Sequence, residues 1–281
     1  MSFAYKVKKE LSELPLESYN AIFYELYAIV LFNNSSSDDK IIISNQNELL
    51  FGRVIKLAQA LQKSPTVKIN FKIIENKILI DSPALKQAVN FSKIPDIYAG
   101  IFLRGVFLTC ASMVNPETEY HLEFSATTEI LNLYLFNAFK LVKFDFNPNV
   151  ITRRGNTVLY IKESEKIIDF LVFIGAQQSA MELMQIKMVK EMRNNINRST
   201  NCETANIAKT AVSATKQIEA IKLIKKQKKF ELTPELQETA DLRLAHPYAS
   251  LNELAQMHKP HITKSGLNHR LKKLISIAEC L

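Results

Sequence analysis

The chain has 281 residues, which is enough for two or three domains with a sizeable core. Its 47% hydrophobic and 23% charged residues exclude a disordered or fibrous protein. The net charge of +8 is unevenly distributed: residues 1–189 carry 20 Lys and Arg against 19 Asp and Glu, whereas residues 190–281 carry 16 against 9. This basic last third predicts a region that binds a polyanion, with nucleic acid ahead of a membrane surface, although a solvated basic face has the same composition.

The start of the chain and its cysteines bear on location and metal chemistry. The first residues, MSFAYKVKKELSELP, lack the apolar stretch of a secretory signal. The longest hydrophobic segments of the chain are too short to span a bilayer. Cys110, Cys202 and Cys280 lie far apart and form no CxxC pair, so neither a disulfide framework nor a zinc site is predicted. We expect reduced thiols in a cytosol and no bound cofactor or metal.

The first part of the chain predicts mixed helices and strands. Apolar residues at helical spacing and short β-rich runs, with Glu75-Asn76 in a hairpin turn, give the following elements. They are a helix over 19–32, a strand within 35–46, a helix over 48–62, a hairpin over 66–82 and a short helix over 82–89 that has Pro83 near its start.

The same order of elements recurs in the second part. The predicted elements are a helix over 98–114, a strand over 120–126, a helix over 129–142, a hairpin over 145–162 that bends at Arg153-Arg154-Gly155-Asn156, and a helix over 164–175 capped by Ser164 and stopped by Gly175. Two halves with one element order indicate an internal duplication with a pseudo-twofold axis.

One helix carries small residues where larger apolar ones would be expected. The stretch LRGVFLTCAS (103–112) contains Gly105, Cys110, Ala111 and Ser112. Small residues let two helices approach closely, so these four predict a helix-packing interface. The first half offers a matching helix end at 26–34, and we expect the two helices to meet between the halves.

A long helical segment follows the two halves. Residues 184–229 read as helix, with a break expected near the polar segment 192–210, and Lys225–Lys229 form a basic run at its end. Asn201, Cys202, Glu203 and Asn206 in that segment either cap helices at the bend or touch a partner, and we favour capping.

Residues 233–281 predict a helix-turn-helix. Thr233 and Pro234 open a first helix, Ser250 and Glu253 have the spacing of a capping box for a second, and the turn HKPHI (258–262) leads into a third helix. Leu267, Leu271, Leu274 and Ala278 form the core stripe of that third helix, with Ile262 just before it.

The opposite side of the third helix has the chemistry of a recognition helix. Ser265, Asn268 and His269 suit base edges, whereas Lys264, Arg270, Lys272 and Lys273 suit phosphates. The predicted DNA-binding set is Thr263, Lys264, Ser265, Gly266, Asn268, His269, Arg270, Lys272 and Lys273. The alternative is a three-helix packing domain with a solvated basic face.

The small-residue helices resemble those of the LAGLIDADG homing endonucleases. In that family two such helices pack at the domain interface, and an acid near each helix end binds a metal that activates water. The matching positions here are Asn33 and Cys110, and neither is a carboxylate. The resemblance therefore implies that the scaffold is retained and the nuclease chemistry is lost. The nearby acids Asp38, Asp39, Glu117 and Glu119 are expected to be surface carboxylates in loops.

The whole chain resembles the WhiA family of bacterial regulators. The strings that carry this resemblance are MSFAYKVKKEL, LRGVFLTCASMVNPETEYHLEF (103–124), MRNNINRSTNCETAN (192–206) and ITKSGLNHRLKKL (262–274). It implies an α+β fold in which a duplicated LAGLIDADG-like N-terminal domain is joined by a long helical linker to an all-α helix-turn-helix domain. The first half departs most, since it has Asn34 where a Gly is expected.

The resemblance implies a non-enzymatic DNA-binding protein, a transcriptional regulator involved in cell division and chromosome segregation. We expect a cytoplasmic, nucleoid-associated protein that binds double-stranded DNA but no membrane, with transcription or division proteins as further partners and a monomer as a reasonable state. The expected domains are 1–96 and 97–188 for the two LAGLIDADG-like halves, 189–229 for the linker and 230–281 for the helix-turn-helix domain. An adaptor at the division machinery with vestigial DNA binding and a nuclease with unconventional metal ligands remain as alternatives.

Overall fold

The structure of the protein is a computed structural model that divides into two compact units, Met1–Glu191 and Met192–Leu281. It describes residues 2–33, 36–37, 40–44, 47–89, 94–126, 128–140, 146–153, 156–227 and 231–281. The predictions for Asn34, for Asp38 and Asp39, for the Arg154-Gly155 bend and for Lys228 and Lys229 lie outside these residues.

The first unit contains two halves with one order of elements. The first half has α1 (Phe3–Glu13), α2 (Tyr19–Asn33), β1 (Ser36–Ser37), β2 (Lys40–Ser44), α3 (Glu48–Leu61), β3 (Asn70–Ile74), β4 (Lys77–Asp81) and α4 (Pro83–Val89). The second half has a short 3₁₀ turn (Asp96–Tyr98), α5 (Ala99–Cys110), β5 (Ala111–Met113), β6 (Leu122–Ser125), α6 (Glu129–Lys140), β7 (Asn149–Arg153), β8 (Asn156–Ile161) and α7 (Ser164–Ile174).

The two halves also share a sheet topology. The described strands form two four-stranded antiparallel sheets, ordered β1-β2-β4-β3 and β5-β6-β8-β7. In the first sheet Ile43 pairs with Ile78, and in the second Phe124 pairs with Leu159, so each sheet turns an apolar row toward the helices. The repeated topology confirms the predicted α+β fold with a repeated element order.

Helices α2 and α5 pack against each other at Gly105. A Cβ atom built on Gly105 would lie 2.6 Å from the backbone oxygen of Glu25 and 2.8 Å from the Cβ of Ala28. Real Cβ atoms do not approach a backbone oxygen so closely, so only glycine lets the two helices reach this separation. The glycine thus stands at the contact between the two halves.

The other three small residues of this stretch lie at or beyond the helix end. The predicted helix over 98–114 is wrong at its end, because α5 stops at Cys110 and residues 111–113 form β5. Thr109 Oγ1 donates to the backbone oxygens of Gly105 and Val106, and Ala111 is extended and pairs with Phe124. Ala111 and Ser112 are therefore strand residues, with Ala111 buried and Ser112 exposed.

The packed helices enclose a charged cluster. Arg53 on α3 donates to both carboxylate oxygens of Glu25, from Nε at 2.7 Å and from Nη2 at 2.8 Å, and its Nη1 donates to the Leu14 backbone oxygen. Arg104 Nη1 lies 3.5 Å from Glu25 Oε2, and Arg104 Nε donates to the Ile174 backbone oxygen. All three side chains are more than nine-tenths buried. We name Glu25, Arg53 and Arg104 the buried ion cluster.

The long helix α8 (Gln177–Lys226) is continuous, so the predicted break near 192–210 is wrong. That prediction relied on Asn, Ser and Thr, which each cost only about 0.5 kcal/mol in a helix, whereas the segment 177–226 contains no Gly or Pro. Without a bend, Asn201, Cys202, Glu203 and Asn206 do not cap helix ends. The preceding helix α7 does end at Gly175, which has φ +97°, but its N-cap is Glu163 rather than the predicted Ser164.

Candidate nucleic-acid interface

Three short helices follow α8 in the second unit. They are α9 (Pro234–Ala245), α10 (Leu251–Met257) and α11 (Lys264–Glu279), as the sequence predicts for a helix-turn-helix. Ser250 and Glu253 form the predicted capping box, since the Ser250 N–H donates to Glu253 Oε2 at 2.7 Å and the Glu253 N–H donates to Ser250 Oγ at 3.3 Å. The Gly266 N–H donates to Thr263 Oγ1 at 3.1 Å and fixes the start of α11.

A small apolar core holds these helices together. Its buried members come from α9, α10, α11 and the end of α8, and they are Ile221, Ile224, Leu236, Ala240, Leu254, Ala255, Leu267, Leu271 and Leu274. On α11 the three leucines recur every three or four residues and therefore occupy one face. This burial turns the remaining faces of α11 toward solvent.

Glu238 on α9 braces the turn before α11. Its Oε1 accepts a hydrogen bond from the Lys259 N–H at 3.1 Å, and its Oε2 lies 3.1 Å from Nδ1 of the fully buried His258. The Lys259 N–H and the His258 ring hold the pKa of Glu238 below its usual range. The sequence predictions missed this brace, because the two contacts join residues about twenty positions apart.

A second polar contact ties the loop between α9 and α10. Arg243 is buried, and its Nη1 donates to the Ala249 backbone oxygen at 2.8 Å. Burial lowers the pKa of the Arg243 guanidinium. No sequence pattern indicates this role, since Arg in a basic region is expected on the surface.

The predicted DNA-binding residues fall into two groups by exposure. Six are exposed, namely Thr263, Lys264, Ser265, His269, Lys272 and Lys273, and three are half-buried, namely Gly266, Asn268 and Arg270. Arg270 Nη2 lies 3.4 Å from Glu235 Oε2 on α9, so its guanidinium is partly engaged within the unit. Lys264, Lys272 and Lys273 have no carboxylate within 4.0 Å among the described residues.

The second unit as a whole is positively charged, as the exposed lysines of α11 are. Residues 192–281 carry 15 Lys and Arg against 8 Asp and Glu, a net charge of +7. Part of the basic run is neutralised internally, because Lys225 Nζ lies 2.5 Å from Asp241 Oδ1 and lowers the pKa of that carboxyl. The lysines of α11 remain available to an external anion.

The helix ends of the first unit do not fit a hard divalent cation. Asn33 closes α2 and Cys110 closes α5, so the LAGLIDADG-like positions offer an amide and a thiol instead of two carboxylates. Burial raises the pKa of the Cys110 thiol to about 12, which keeps the sulfur protonated at neutral pH. Glu117 and Glu119 are exposed, and Glu119 Oε1 pairs with Lys162 Nζ at 3.1 Å. Within the described residues, no three His, Cys, Asp or Glu side chains cluster as a metal site.

The family models and a solved structure that match this chain all carry the name WhiA. A model described as "WhiA LAGLIDADG-like domain" matches residues 99–193, and one described as "WhiA C-terminal HTH domain" matches residues 196–278. A crystal structure of full-length DUF199/WhiA from Thermatoga maritima is 30% identical with a TM-score of 0.61, covering 100% of this chain and 98% of that one.

The similar proteins carry the same family name. Two proteins named "Probable cell division protein WhiA" are similar to this chain. The one from Clostridium tetani is 37% identical over 268 residues, covering 91% of this chain and 76% of the relative. The one from Clostridium acetobutylicum is 49% identical over 181 residues, covering 64% and 56%. The chain thus spans little more than half the length of the latter relative. None of the described helices is long and apolar enough to cross a membrane.

Proposed function

This chain belongs to the WhiA family, and from that premise we propose that it is a non-enzymatic DNA-binding protein that regulates transcription in cell division and chromosome segregation. The printed names of the relatives support a role in cell division. The regulatory part of the proposal is based on the helix-turn-helix unit, and its partner is double-stranded DNA.

One observation carries this proposal. The side of α11 away from its leucine stripe presents hydrogen-bonding and cationic side chains that are exposed and, for the three lysines, unpaired among the described residues. A helix whose start enters the major groove can direct Ser265, Asn268 and His269 to base edges. Lys264, Lys272 and Lys273 would then neutralise phosphates and release counterions, which makes binding depend on salt.

We assign a different role to the first unit. Its helix ends carry Asn33 and Cys110, and Gly105 and the buried ion cluster serve packing, so we propose a rigid scaffold without hydrolytic activity. The functional division follows residues 1–96 and 97–188 for the two halves, 189–229 for the linker and 230–281 for the DNA-binding domain.

The proposal is tested by selecting bound sequences from a pool of host-genome duplexes with the full-length chain. We expect an enriched motif, because the half-buried Asn268 and the exposed His269 can distinguish base edges. Selection with the Asn268→Ala/His269→Ala variant should shift or flatten that motif. A pool that is retained without any enriched motif would reduce the chain to a non-specific polyanion binder and would refute the regulator assignment.

A specific observation favours a second candidate function, that of a protein-interaction adaptor. The first sheet exposes apolar side chains on β3, since Ile73 is 49% and Ile74 is 53% exposed. An exposed apolar strand suits a protein contact better than a DNA backbone. Normal function in cells after deletion of residues 230–281 would favour this alternative over the regulator.

A further inference from the structure

The middle of α8 is an exposed part of the helix, and its later turns, at Asn206, Ile207 and Thr210, line a cavity with Pro247 and Tyr248 of the same unit. Every residue from Met192 to Ser213 is exposed, whereas burial begins again at Ala214 and continues at Gln217, Ala220 and Ile221. This segment includes the MRNNINRSTNCETAN string, which neither the core nor the recognition helix α11 explains. The side chains of this segment are therefore accessible to another molecule.

The polar residues of this segment are sorted onto two faces. Asn194, Asn197, Arg198 and Asn201 are separated by three, four or seven residues, apart from the adjacent pair 197 and 198, and so share one face of the helix. We name these four residues the amide face. The only acid between Met192 and Ser213 is Glu203, which lies on the other side with Asn195 and Ser199 at the same helical spacing.

The amide face has no partner within the described chain. No hydrogen bond or ion pair of the described residues engages its four side chains, whereas on the other side Asn206 Nδ2 lies 3.7 Å from Cys202 Sγ. A solvent-exposed helix is best built from strong helix formers and (i, i+4) ion pairs. This one has strong helix formers such as Ala205, Ala208 and Ala211, but it has no (i, i+4) ion pair among the described residues, and it contains five Asn residues, which are weak helix formers. The four amide-face positions therefore contribute little to helix stability and are available for hydrogen bonding to another molecule.

The charge of the segment indicates which molecule that is. Arg193, Arg198 and Lys209 give it three cations against the single Glu203, and that acid points away from the amide face. Asn side chains can bond adenine N6 and N7 in a bidentate manner, and Arg does the same with guanine O6 and N7. A protein surface would need apolar anchors at the centre of this face, and the amide face has none.

We propose that the amide face is a second DNA-binding element that lies in a major groove and reads base edges beyond those contacted by α11. The proposal rests on the proposed DNA-binding function and extends it. An α-helix with its side chains is about 10–12 Å wide and fits a major groove about 12 Å wide, and continuous helices cross the groove in this way in other DNA-binding proteins. Asn201 lies 13 residues before Ala214, so the amide face stands roughly 20 Å along the helix axis from the start of the unit core. It would therefore contact base pairs outside the α11 site.

The test uses the full chain and a duplex selected from the genome pool, with binding measured by fluorescence anisotropy. Asn197→Ala/Asn201→Ala and Arg198→Ala remove groups of the amide face. Asn195→Ala/Ser199→Ala is the matched control on the other side of the same exposed helix. Alanine is the best helix former, so all three variants keep α8, and far-UV circular dichroism checks this. A fourth variant, Lys272→Ala, reports on α11.

We expect the amide-face variants to bind roughly tenfold more weakly, the control to stay within about twofold of the unchanged chain, and a duplex with scrambled flanks to abolish the difference. If the amide-face variants bind like the unchanged chain while Lys272→Ala binds more weakly, the inference is overturned and the proposed function stands. Equal loss in the control also overturns it. Failure of the unchanged chain to bind any duplex refutes the proposed function itself. A protein partner on this face would leave all DNA measurements unchanged, which is the overturning result.

Discussion

The buried ion cluster of the first unit contrasts with the exposed faces of α11 and α8 in the second unit. In the first unit, Arg53 is hydrogen-bonded to Glu25, Arg104 forms an ion pair with Glu25, and all three side chains are buried. In the second unit, Lys264, Lys272 and Lys273 on α11 and the amide face of α8 are exposed, and none of them has an ion-pair partner among the described residues.

Burial separates side chains that serve packing from side chains that a ligand can reach. A buried charge that is fully paired contributes to a defined packing but is unavailable to a ligand. An exposed cation or amide adds little to folding and is available to a phosphate or a base edge. The buried ion cluster thus serves packing in the first unit, whereas the exposed lysines of α11 and the amide face are accessible to an external partner.

The largest effect is expected from opening the buried ion cluster. Arg53→Met leaves the Glu25 carboxylate buried with only the Arg104 guanidinium, 3.5 Å away, as a partner. Removing one member of a buried pair costs about 3–5 kcal/mol. Chemical denaturation of the full chain measures this loss. Lys6→Met, which breaks the exposed pair between Lys6 and Glu182, should cost less than about 1 kcal/mol. Equal losses in the two variants would contradict the contrast between buried and exposed charges.

The next effect is expected at the helix contact. Gly105→Ala places a methyl group 2.6 Å from the Glu25 backbone oxygen and should destabilise the first unit by about 1–3 kcal/mol. Gly52, within α3, has no atom within 4 Å of a built Cβ, so Gly52→Ala should stabilise by up to about 1 kcal/mol through helix propensity. Thermal unfolding of both variants gives the comparison. A stable Gly105→Ala protein would mean that α2 and α5 do not pack as described.

A third prediction concerns base reading by α11. Asn268→Ala should cost about 1–3 kcal/mol of discrimination between the selected motif and a single-base variant of it. Its stability should change little, since Asn268 is only half-buried. Competition binding with matched and mismatched duplexes measures the discrimination. An unchanged ratio of the two affinities would remove Asn268 from the recognition surface.

A fourth prediction concerns phosphate contacts by α11. Lys272→Ala should weaken binding to all duplexes alike and reduce the slope of log affinity against log salt by about 1, because one fewer counterion is released. Titrations at a series of salt concentrations give the slope. Exposed Lys6 in the first unit serves as the control, and Lys6→Ala should leave the slope unchanged.

The smallest effect is expected on the melting temperature of the second unit when the pH is lowered. The Lys259 N–H, the His258 ring and Arg270 hold the pKa of Glu238 below its usual value, which is about 4.3. A carboxyl with a depressed pKa in the folded state stabilises fully above that usual value, and the contribution is lost as the pH falls through the folded pKa. The melting temperature of the second unit should therefore fall below about pH 4, and Glu238→Gln should flatten that fall. If the melting temperatures of the two proteins fell in parallel with pH, the contacts of Glu238 with Lys259 and His258 would not stabilise the second unit.

The sequence predicted best what local signals determine. The helices α9, α10 and α11 follow from Pro234, from the Ser250 and Glu253 capping box and from the leucine stripe, because caps and periodicity act within a few residues. The repeated element order of the first unit was visible for the same reason. The third helix of the candidate site could be assigned an exposed face from spacing alone.

The features that the sequence did not predict correctly also have physical causes. The three-residue strand β5 depends on pairing between Ala111 and Phe124, which no local propensity encodes. The break expected in α8 overestimated how strongly polar residues oppose a helix when Gly and Pro are absent. The brace of Glu238 on His258 and the pairing of Arg270 with Glu235 join separate helices, so only the folded unit reveals that part of the site is already engaged.

Fluorescence anisotropy of the full chain with labelled genome duplexes, at two salt concentrations and with Mg²⁺ present, tests whether recognition resides in the second unit. A gel of the DNA afterwards shows whether the first unit cleaves it. If recognition resides in the exposed, cationic second unit and the first unit is a scaffold, binding depends on sequence, falls steeply with salt and leaves the DNA intact. Cleaved DNA would contradict the scaffold role of the first unit, and an absence of binding at low salt would contradict recognition by the second.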